Sequence, residues 1–474
     1  MPDGNDDHGD DNGDDIAREV LAQFAKLPKR GKPALRPNGR REWTVIAGIV
    51  ATAPASAPGA APVAKCVAIG TGLKCLPESA RTNDGASVND SHAEAVCRRS
   101  LRRFLLAQML LVLACKNSWV LQRNDGAGSN PATPFVLRPG VKLSMYISQS
   151  PCGDASMRAL DKATSHKLAE LAPLRVSETS GDAPATGDHG APAADGATLK
   201  RKHSDAVTTD TADGDNQQRP AKQAATSDRA ATTTASAVHA SLAASSVIRG
   251  RNDFTATSGR LRTKPGRPDA PPTTSMSCSD KLAKWNAIGL GGALLSMLLP
   301  PLHLESLAVG HLFDAEALHG SLVMRVGCTI PIEIRHATVT FEWSQPDLAA
   351  GGDAGADPAA APLSADAALA WCLGEESEAI VAGRKQGSSP KAGVWPEKSR
   401  VRICTLETAR LFAQVVKQLD VPYREAILGT TTEPVTYRAL KLRATTYQEA
   451  KARLYGGPLK GWIVHEQPDF TLDL

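Results

Sequence analysis

The chain has 474 residues, of which only 4% are aromatic, while 39 are glycine and 32 are proline. This composition argues against an evenly packed chain, because so few large side chains cannot fill a core along the whole length. The net charge of +4 is too small to indicate a partner by itself, and nine irregularly spaced cysteines argue against a disulfide scaffold.

The amino terminus is acidic and shows no apolar signal region, and the longest apolar stretch, residues 104–115, is too short to cross a bilayer. We therefore expect an intracellular protein, in the nucleus or the cytoplasm, that has no membrane partner. In a reducing compartment its free thiolates would be available to metal ions.

The first 35 residues are predicted to form a disordered tail. The acidic run "DGNDDHGDDNGDD" begins at Asp3, and a basic run follows between Lys26 and Arg41. The basic run could contact phosphate, although a solvated tail is the more common explanation of such a run. The ordered domain is therefore expected to span residues 36–474.

Regular structure is predicted from the period of the apolar residues and from β-branched content. In chain order, strands are expected over residues 42–52, 64–72 and 141–148, and helices over residues 92–116, 279–299 and 437–456. Asp90 or Ser91 is the expected cap of the helix that starts at His92. Alternation of strands and helices predicts an α/β or mixed layered fold.

Two segments contain few large apolar side chains and are predicted to be disordered inserts, residues 176–248 and 348–368. A surface loop tolerates such inserts, because the entropy of loop closure grows slowly with length. The remainder is expected to be one interrupted domain. The lysine-containing stretch at 200–222 is compatible with a nuclear import signal, but such stretches are common in disordered segments.

A metal site is indicated by His92 and Glu94, which form a His-x-Glu pair at the start of a helix. The pair alone is weak evidence, but Pro151 and Cys152 supply part of the Pro-Cys-x-x-Cys element of zinc deaminases. The second cysteine of that element is replaced by Ala155, which leaves zinc one protein ligand short of three. Cys278 lies at a predicted helix start, where the pKa of a thiol is lowered, so it can supply the third ligand. Four other cysteines are expected to be small buried side chains: Cys66, Cys97, Cys115 and Cys404.

Five ordered blocks, "VAIGTGLKC", "NDSHAEAVCRRSLRRF", "MYISQSPCGDASM", "GRLRTKPGR" and "SMSCSDKLAKWN", resemble the adenosine deaminase domain of the ADAR-type RNA-editing enzymes and their tRNA-specific relatives. The resemblance implies a zinc-dependent deaminase core, with a central mixed sheet flanked by helices and an enlarged carboxyl-terminal helical part around a buried polyanion. It also implies hydrolytic deamination of adenosine to inosine. Zinc would be held by His92, Cys152 and Cys278 and would activate water, while Glu94, which is not a ligand, would transfer protons.

Basic residues four positions apart share helix faces, as Arg98 does with Arg102 and Arg99 with Arg103. Burying such groups without an anion is costly, and the resemblance implies that inositol hexakisphosphate is that anion. The matching residues are Arg98, Arg99, Lys281, Lys284, Lys385, Tyr437, Lys441, Tyr447, Lys451 and Trp462. Gly291 and Ala293 replace polar residues of the family, so one or two contacts differ. RNA phosphate is the competing partner of this cluster.

The expected substrate is tRNA, and neither DNA nor a membrane is an expected partner. The segment before Glu42 is too short for a double-stranded-RNA-binding module. Pro265, Gly266 and Arg267 replace a Gly-Glu-Gly loop of the duplex editors. In this respect the chain resembles the branch of the family that deaminates adenosine 37 of alanine tRNA. Unstacked anticodon-loop bases need no such loop. Predicted RNA contacts are Lys74, Arg260, Arg262, Lys264 and Arg267, each of which could equally be a solvated charge.

Three alternatives remain open at this point. One is editing of duplex or messenger RNA, and a second is a non-catalytic RNA-binding protein that retains a structural metal. The third, a nucleoside or cytidine deaminase, is disfavoured by the incomplete Pro-Cys-x-x-Cys element. The sequence gives no indication of the oligomeric state.

Overall fold

The computed structural model describes residues 13–55, 61–124, 133–161, 247–249, 259–264, 270–345, 361–429, 435–466 and 468–474. Its helices are α1 (Asp14–Lys26), α2 (Ala93–Leu113), α3 (Cys278–Ile288), α4 (Gly292–Leu295), α5 (Ala315–Leu322), α6 (Thr405–Lys417), α7 (Val421–Leu428), α8 (Tyr437–Leu442) and α9 (Thr445–Gly456). Residues 154–161 are also helical.

Eight strands form the central sheet: β2 (Ile46–Ala53), β3 (Val63–Thr71), β8 (Lys142–Gln149), β11 (Ser306–His311), β12 (Glu333–His336), β14 (Ala368–Cys372), β15 (Glu378–Val381) and β16 (Arg384–Lys385). The remaining strands form short pairs: β1 (Glu42–Trp43) with β13 (Leu363–Ser364), β4 (Leu73–Cys75) with β5 (Asp90–His92), β6 (Leu121–Arg123) with β7 (Phe135–Leu137), β9 (Ile248–Arg249) with β10 (Arg262–Thr263), and β17 (Val435–Thr436) with β18 (Thr471–Leu472).

The central sheet has the order β12-β11-β8-β2-β3-β14-β15-β16. Strands β8, β11 and β12 are parallel to one another, whereas the pairs from β8 through β2 to β16 are antiparallel. The sheet is therefore mixed and carries helices on its faces, which confirms the predicted α/β layered fold class. Among the described residues, no helix has both the length and the apolar character that crossing a bilayer requires.

The two faces of the sheet belong to two hydrophobic clusters. In β2, Ala47, Ile49 and Ala51 lie in the cluster that includes the buried face of α2, whereas Ile46 and Val50 lie in the cluster that includes α1. This division follows from the period of two in a strand, which sends successive side chains to opposite faces. Both faces are buried, which explains the uninterrupted apolar character of the strand.

Helix α1 contradicts the prediction of a disordered tail over residues 1–35. Its side chains Ala17, Val20 and Phe24 are buried against the sheet, and residues 1–12 lie outside the described part. Gly48 of β2 lies directly beneath Val20, where an added Cβ atom would overlap with the valine methyl groups. The prediction was wrong here because the acidic composition outweighed an apolar stripe at positions i, i+3 and i+7.

Several predicted element boundaries also need correction. The helix expected over 279–299 ends at Ile288, because Gly289 adopts a φ of 83°, and a separate short helix, α4, follows. The helix expected over 437–456 is divided into α8 and α9. Neither Asp90 nor Ser91 is the cap of α2, because the cap residue is His92. The Asp90 carboxylate accepts a hydrogen bond from the backbone N–H of His92 at 3.0 Å.

The ends of the predicted inserts are ordered where the structure describes them. Residues 363–364 pair with β1 and Ala368 begins β14, so the insert predicted over 348–368 is wrong from residue 361 onward. Ile248 likewise lies in β9. Residues 176–246 and 348–360 lie outside the described part, and so does the stretch at 200–222.

Candidate metal centre and cation-lined cavity

His92 and Glu94 are positioned by the junction of β5 with α2. His92 ends the strand with an extended backbone, and Glu94 lies in the first turn of the helix, 3% exposed. The helix can approach β3 this closely because residue 70 is glycine: an added Cβ atom there would overlap with backbone atoms of Ala93 and Cys97. The local sequence thus fixes both side chains beside the carboxyl end of β3, an interior strand of the central sheet.

Cys152 and Cys278 reach the same place from two other elements. Cys152 follows the end of β8, and Cys278 is the first residue of α3, whose cap, Ser277, accepts a hydrogen bond from the Asp280 backbone N–H at 3.1 Å. The Cys278 backbone N–H donates to the Cys152 sulfur at 3.4 Å, and the Ser279 N–H donates to the Cys152 carbonyl oxygen at 3.0 Å. The start of α3 is therefore docked onto the Cys152 loop.

The three predicted ligands are brought together. The Nδ1 atom of His92 lies 3.8 Å from the sulfur of Cys152 and 3.7 Å from the sulfur of Cys278. Ordinary Zn–N and Zn–S bonds at a tetrahedral ion separate such donors by about 3.6 Å, so the spacing fits one metal ion. A second group of possible donors, Cys75 and Asp90 with the same His92, shares the histidine and is not an independent site.

The pKa values of the two thiols, Cys152 and Cys278, are shifted in opposite directions. A hydrogen bond from Cys278 lowers the pKa of Cys152 well below its usual value, while burial raises the pKa of Cys278 well above it. Burial, together with the charge of Cys152, raises the pKa of Glu94, whose Oε2 atom lies 3.0 Å from the Cys278 sulfur. Glu94 thus lies beside the cluster as a buried carboxyl group that can hold a proton.

A buried ion network adjoins the cluster. The Nζ atom of Lys264 lies 3.1 Å from the Cys278 sulfur and donates to both carboxylate oxygens of Asp90, at 3.1 and 2.9 Å. Lys281 donates to the same carboxylate and to Ser275. Lys264 is only 3% exposed and is held by Asp90 and Cys278, so its role as an RNA contact stays a prediction.

The metal-site cavity has a volume of about 340 Å³, and His92, Glu94 and Cys152 contribute to its wall. Of the predicted RNA contacts, Lys74, Arg262 and Lys264 line this cavity. Arg262 is 1% exposed and lies in β10, so it contributes to the wall and not to an outer surface. Arg260 is exposed but does not line the cavity, and Arg267 lies outside the described residues.

A second space, here called the cationic cavity, lies on the far side of Asp90 and has a volume of about 250 Å³. Its cationic lining side chains are Arg98, Arg102, Lys281, Lys284, Lys441 and Lys451. None of the described lining residues is an Asp or a Glu. The Nε atoms of Arg98 and Arg102 are buried, and among the described atoms no hydrogen-bond acceptor is found for them. The cavity therefore has a large unbalanced positive charge.

The electrostatics of the cationic cavity reflect that imbalance. Burial, followed by the charge of Arg102, lowers the pKa of Arg98 to about 9 and that of Lys441 to about 8. Burial and the neighbouring cations lower the pKa of Lys284 well below its usual value. The Lys284 ammonium lies 4.6 Å from the ring centre of Trp462, and this cation–π contact offsets part of the free-energy cost of burying the charge. An anion in the cavity would oppose these shifts, because its negative charge favours the protonated form of each group.

Eight of the ten residues predicted for the polyanion line the cationic cavity, and two do not. Arg99 donates to the carbonyl oxygen of Ile403, and Lys385 forms an ion pair with Glu378 at 3.1 Å. Neither residue lines the cavity as described, so the assignment of both to the polyanion stays a prediction. Among the lining residues with polar side chains, four were not in the predicted set: Arg102, Gln448, Tyr455 and His465. The spacing of Arg102 from Arg98, one helical turn, was the available signal for the first of these.

Of the four cysteines that were predicted to be small buried side chains, three are buried and one is exposed. Cys66, Cys97 and Cys404 are buried, as predicted, and burial raises the pKa of each. Cys115 is exposed just beyond the end of α2, which corrects its prediction as a buried side chain.

Comparison with known proteins gives a consistent family match. A model of the adenosine-deaminase (editase) domain matches residues 68–466. The chain is 28% identical to tRNA-specific adenosine deaminase 1 of Mus musculus, over 96% of this chain and 98% of that protein. It is 27% identical to the Homo sapiens protein of the same name, over 94% and 96%, respectively. It is also 29% identical to the double-stranded RNA-specific editase Adar of Drosophila melanogaster, over 66% of this chain and 35% of the editase.

Proposed function

Because the chain belongs to the adenosine-deaminase (editase) domain family, we propose that it converts adenosine to inosine in tRNA by hydrolytic deamination. Position 37 of alanine tRNA is the target that we expect. The observation that carries the proposal is the convergence of His92, Cys152 and Cys278 on one point beside the buried carboxyl group of Glu94. A purely structural metal has no need of that carboxyl group.

The preference for tRNA rests on the extent of the similarities. The mouse relative named as tRNA-specific aligns over 98% of its length, whereas the Drosophila editase aligns over 35% of its own. Editing of an RNA duplex is the second candidate, because that editase is nonetheless 29% identical to the chain. A non-catalytic RNA-binding role is the third and is disfavoured by the presence of Glu94.

Zinc is the metal that we propose for the cluster, because one imidazole and two thiolates are its usual donors and three protein ligands are typical of a catalytic site. When bound, zinc would supply Lewis-acid activation of a water molecule and lower the pKa of that water toward neutrality. The donors would be the Nδ1 atom of His92 and the sulfur atoms of Cys152 and Cys278. Asp90 would orient these three ligands, because its carboxylate accepts a hydrogen bond from the backbone N–H of His92 and another from Lys264, which lies beside Cys278.

Glu94 would move the protons that the reaction requires. Deamination forms a C–O bond at C6 of adenine and breaks the bond to the exocyclic amine, so water must lose a proton while N1 and the leaving ammonia must gain protons. A carboxyl group with a raised pKa can both accept and return a proton near neutral pH. Glu94 has that property because it is buried and lies near the charge of Cys152.

We also propose that the cationic cavity holds inositol hexakisphosphate. The supporting observations are six cationic side chains around about 250 Å³ and two buried arginine Nε atoms for which no acceptor is found among the described atoms. RNA phosphate is the weaker candidate. Arg98 and Arg102 lie in the amino-terminal half of α2, inside the fold, whereas polyanionic RNA binds to accessible surface. The ligand would stabilise the fold by binding the native state alone.

The test of the proposed reaction is to incubate the zinc-loaded protein with unmodified alanine tRNA, a long RNA duplex and free adenosine, and to measure inosine in each. We expect inosine in the tRNA at adenosine 37, and none with the Glu94→Gln variant. Inosine only in the duplex would favour the second candidate function. No inosine in any substrate, from protein shown to contain metal, would contradict the proposal.

A further inference from the structure

We propose that Trp43 is a specificity-determining residue that stacks on a nucleobase next to the target adenosine, at the entrance of the metal-site cavity. This inference rests on the proposed function, because it concerns the RNA substrate of the same site. It assigns the recognition of a neighbouring base to the short ribbon formed by β1 and β13.

The position of Trp43 suits this role. Trp43 and Val45 line the metal-site cavity, and Trp43 is the only tryptophan, tyrosine or phenylalanine among the described residues of its wall. The reacting groups lie at the closed end, where Glu94 is 3% exposed and Cys278 is fully buried. Trp43 is only partly buried.

The neighbours of Trp43 locate it at the entrance. Its partner in the parallel pairing of β1 and β13 is Ser364, whose hydroxyl group accepts a hydrogen bond from the Lys74 ammonium at 2.9 Å. Lys74 also lines the cavity and is 48% exposed, so this side of the wall faces solvent. A cation beside an aromatic ring is the combination with which proteins hold single-stranded RNA.

The backbone that carries the Trp43 ring is fixed before any RNA arrives. The carbonyl oxygen of Trp43 accepts a hydrogen bond from the Ala365 N–H at 2.8 Å, and the N–H of the next residue, Thr44, donates to Trp343 at 2.9 Å. Thr44 is 1% exposed. Because this strand is already ordered, binding of a base to Trp43 does not require ordering of the backbone, which favours the residue as a stacking surface.

The size of the cavity creates the need for such a surface. A volume of about 340 Å³ is at the lower end for ligand pockets, so it accommodates one nucleoside while the rest of the RNA remains outside. When the target base enters, the base beside it loses a stacking partner. An aromatic side chain at the entrance replaces that partner, and removal of such a side chain weakens binding roughly tenfold to a hundredfold.

The experiment compares Trp43→Ala, Trp43→Phe and Trp43→Leu with the parent protein. Trp395→Ala is the matched control, because Trp395 is a partly exposed tryptophan that does not line the cavity. Anticodon stem-loops carrying 2-aminopurine before or after the target adenosine are bound to zinc-loaded protein in the Glu94→Gln background, and fluorescence quenching and Kd are measured. The kcat and KM of each Trp43 variant are measured separately with Glu94 intact.

We expect quenching of 2-aminopurine at one neighbouring position in the parent and Trp43→Phe complexes, and loss of that quenching in Trp43→Ala. Kd and KM should rise roughly tenfold to a hundredfold in Trp43→Ala and Trp43→Leu, with kcat at saturation and the melting temperature nearly unchanged. The Trp395→Ala control should match the parent protein.

Equal quenching in the parent and Trp43→Ala complexes at both positions, or parent-like affinity of Trp43→Leu, would overturn the inference. The failure of the proposed function is a separate result, namely no inosine from the parent protein with Glu94 intact. The quenching measurement decides on Trp43 in either case, because it depends on binding and not on turnover.

Discussion

The Nδ1 atom of His92 lies 3.7 Å from the sulfur atom of Cys278, although 186 positions separate the two residues along the chain. The contact forms because α3 begins at Cys278 and docks its first turn on the Cys152 loop. Metal binding should therefore depend on the complete fold and not on a local motif.

Replacement of Glu94 by Gln is expected to preserve the metal and nearly abolish turnover. The amide keeps the volume of the carboxyl group but cannot accept and return a proton, so kcat should fall by about 10² to 10⁴. Elemental analysis should find the same metal content as in the parent protein, and inosine formation measures kcat. Near-parent activity would show that another group moves the protons.

Replacement of Asp90 by Asn is expected to destabilise the protein strongly. Asp90 is the shared carboxylate of Lys264 and Lys281, and removal of one partner from a buried ion network costs about 3 to 5 kcal/mol. Asp366→Asn is the control, because Asp366 is 72% exposed and its pairs with Lys74 and Arg36 contribute about 1 kcal/mol or less. Thermal unfolding of both variants makes the comparison, and equal melting temperatures would contradict the structural assignment of Asp90.

The cationic cavity makes opposite predictions for two basic residues. Arg102→Gln should weaken binding of inositol hexakisphosphate by at least about thirtyfold, because it removes a buried charge that faces the cavity. Lys385→Gln should have little effect, because Lys385 is paired with Glu378 outside the cavity. Isothermal titration calorimetry on protein stripped of bound anions measures both. A larger effect of Lys385→Gln would favour the assignment based on the sequence resemblance.

Anion binding is expected to be linked to proton uptake above about pH 8. Burial lowers the pKa of Lys441 to about 8 in the empty cavity, below its usual 10.5. Between these values the unfolded chain holds a proton that the folded, anion-free protein lacks, so the stability of that protein should increase as the pH rises from about 8 to 10. A bound polyanion restores the ammonium, so affinity should decrease over the same range.

The linkage is best measured with inositol hexakissulfate, whose sulfate groups do not titrate in this range. Calorimetry at pH 8.5 in two buffers of different ionisation enthalpy gives the number of protons taken up, and Lys441→Gln should take up fewer. Proton release by the parent protein would be inconsistent with the depressed pKa of Lys441.

Residues in short motifs, and Cys278 at its helix start, could be predicted from the sequence, whereas the burial of a side chain by a distant partner could not. His92, Glu94 and Cys152 belong to compact motifs, and the alternation in β2 indicates a strand directly. The burial of Lys264 could not be predicted, because its partner Asp90 is 174 positions away. Without that carboxylate, a lysine in a polar loop has the features of a surface charge.

Helix geometry explains two other differences. Arg98 and Arg102 are one turn apart and share the face of α2 that lines the cavity, whereas Arg99 is rotated toward Ile403. Periodicity alone would therefore have favoured Arg102 over Arg99. Helix α1 was missed for a related reason: the buried side chains Ala17, Val20 and Phe24 recur at helical spacing within a segment dominated by charge.

If one imidazole and two distant thiolates hold a single metal ion, the metal content of the purified protein must depend on each of them. Elemental analysis should find about one zinc per chain in the parent protein and in Cys115→Ala, whose exposed thiol is outside the cluster. Cys278→Ala should retain much less zinc and form no inosine. Parent protein without bound transition metal, or Cys278→Ala with undiminished zinc, would contradict the account.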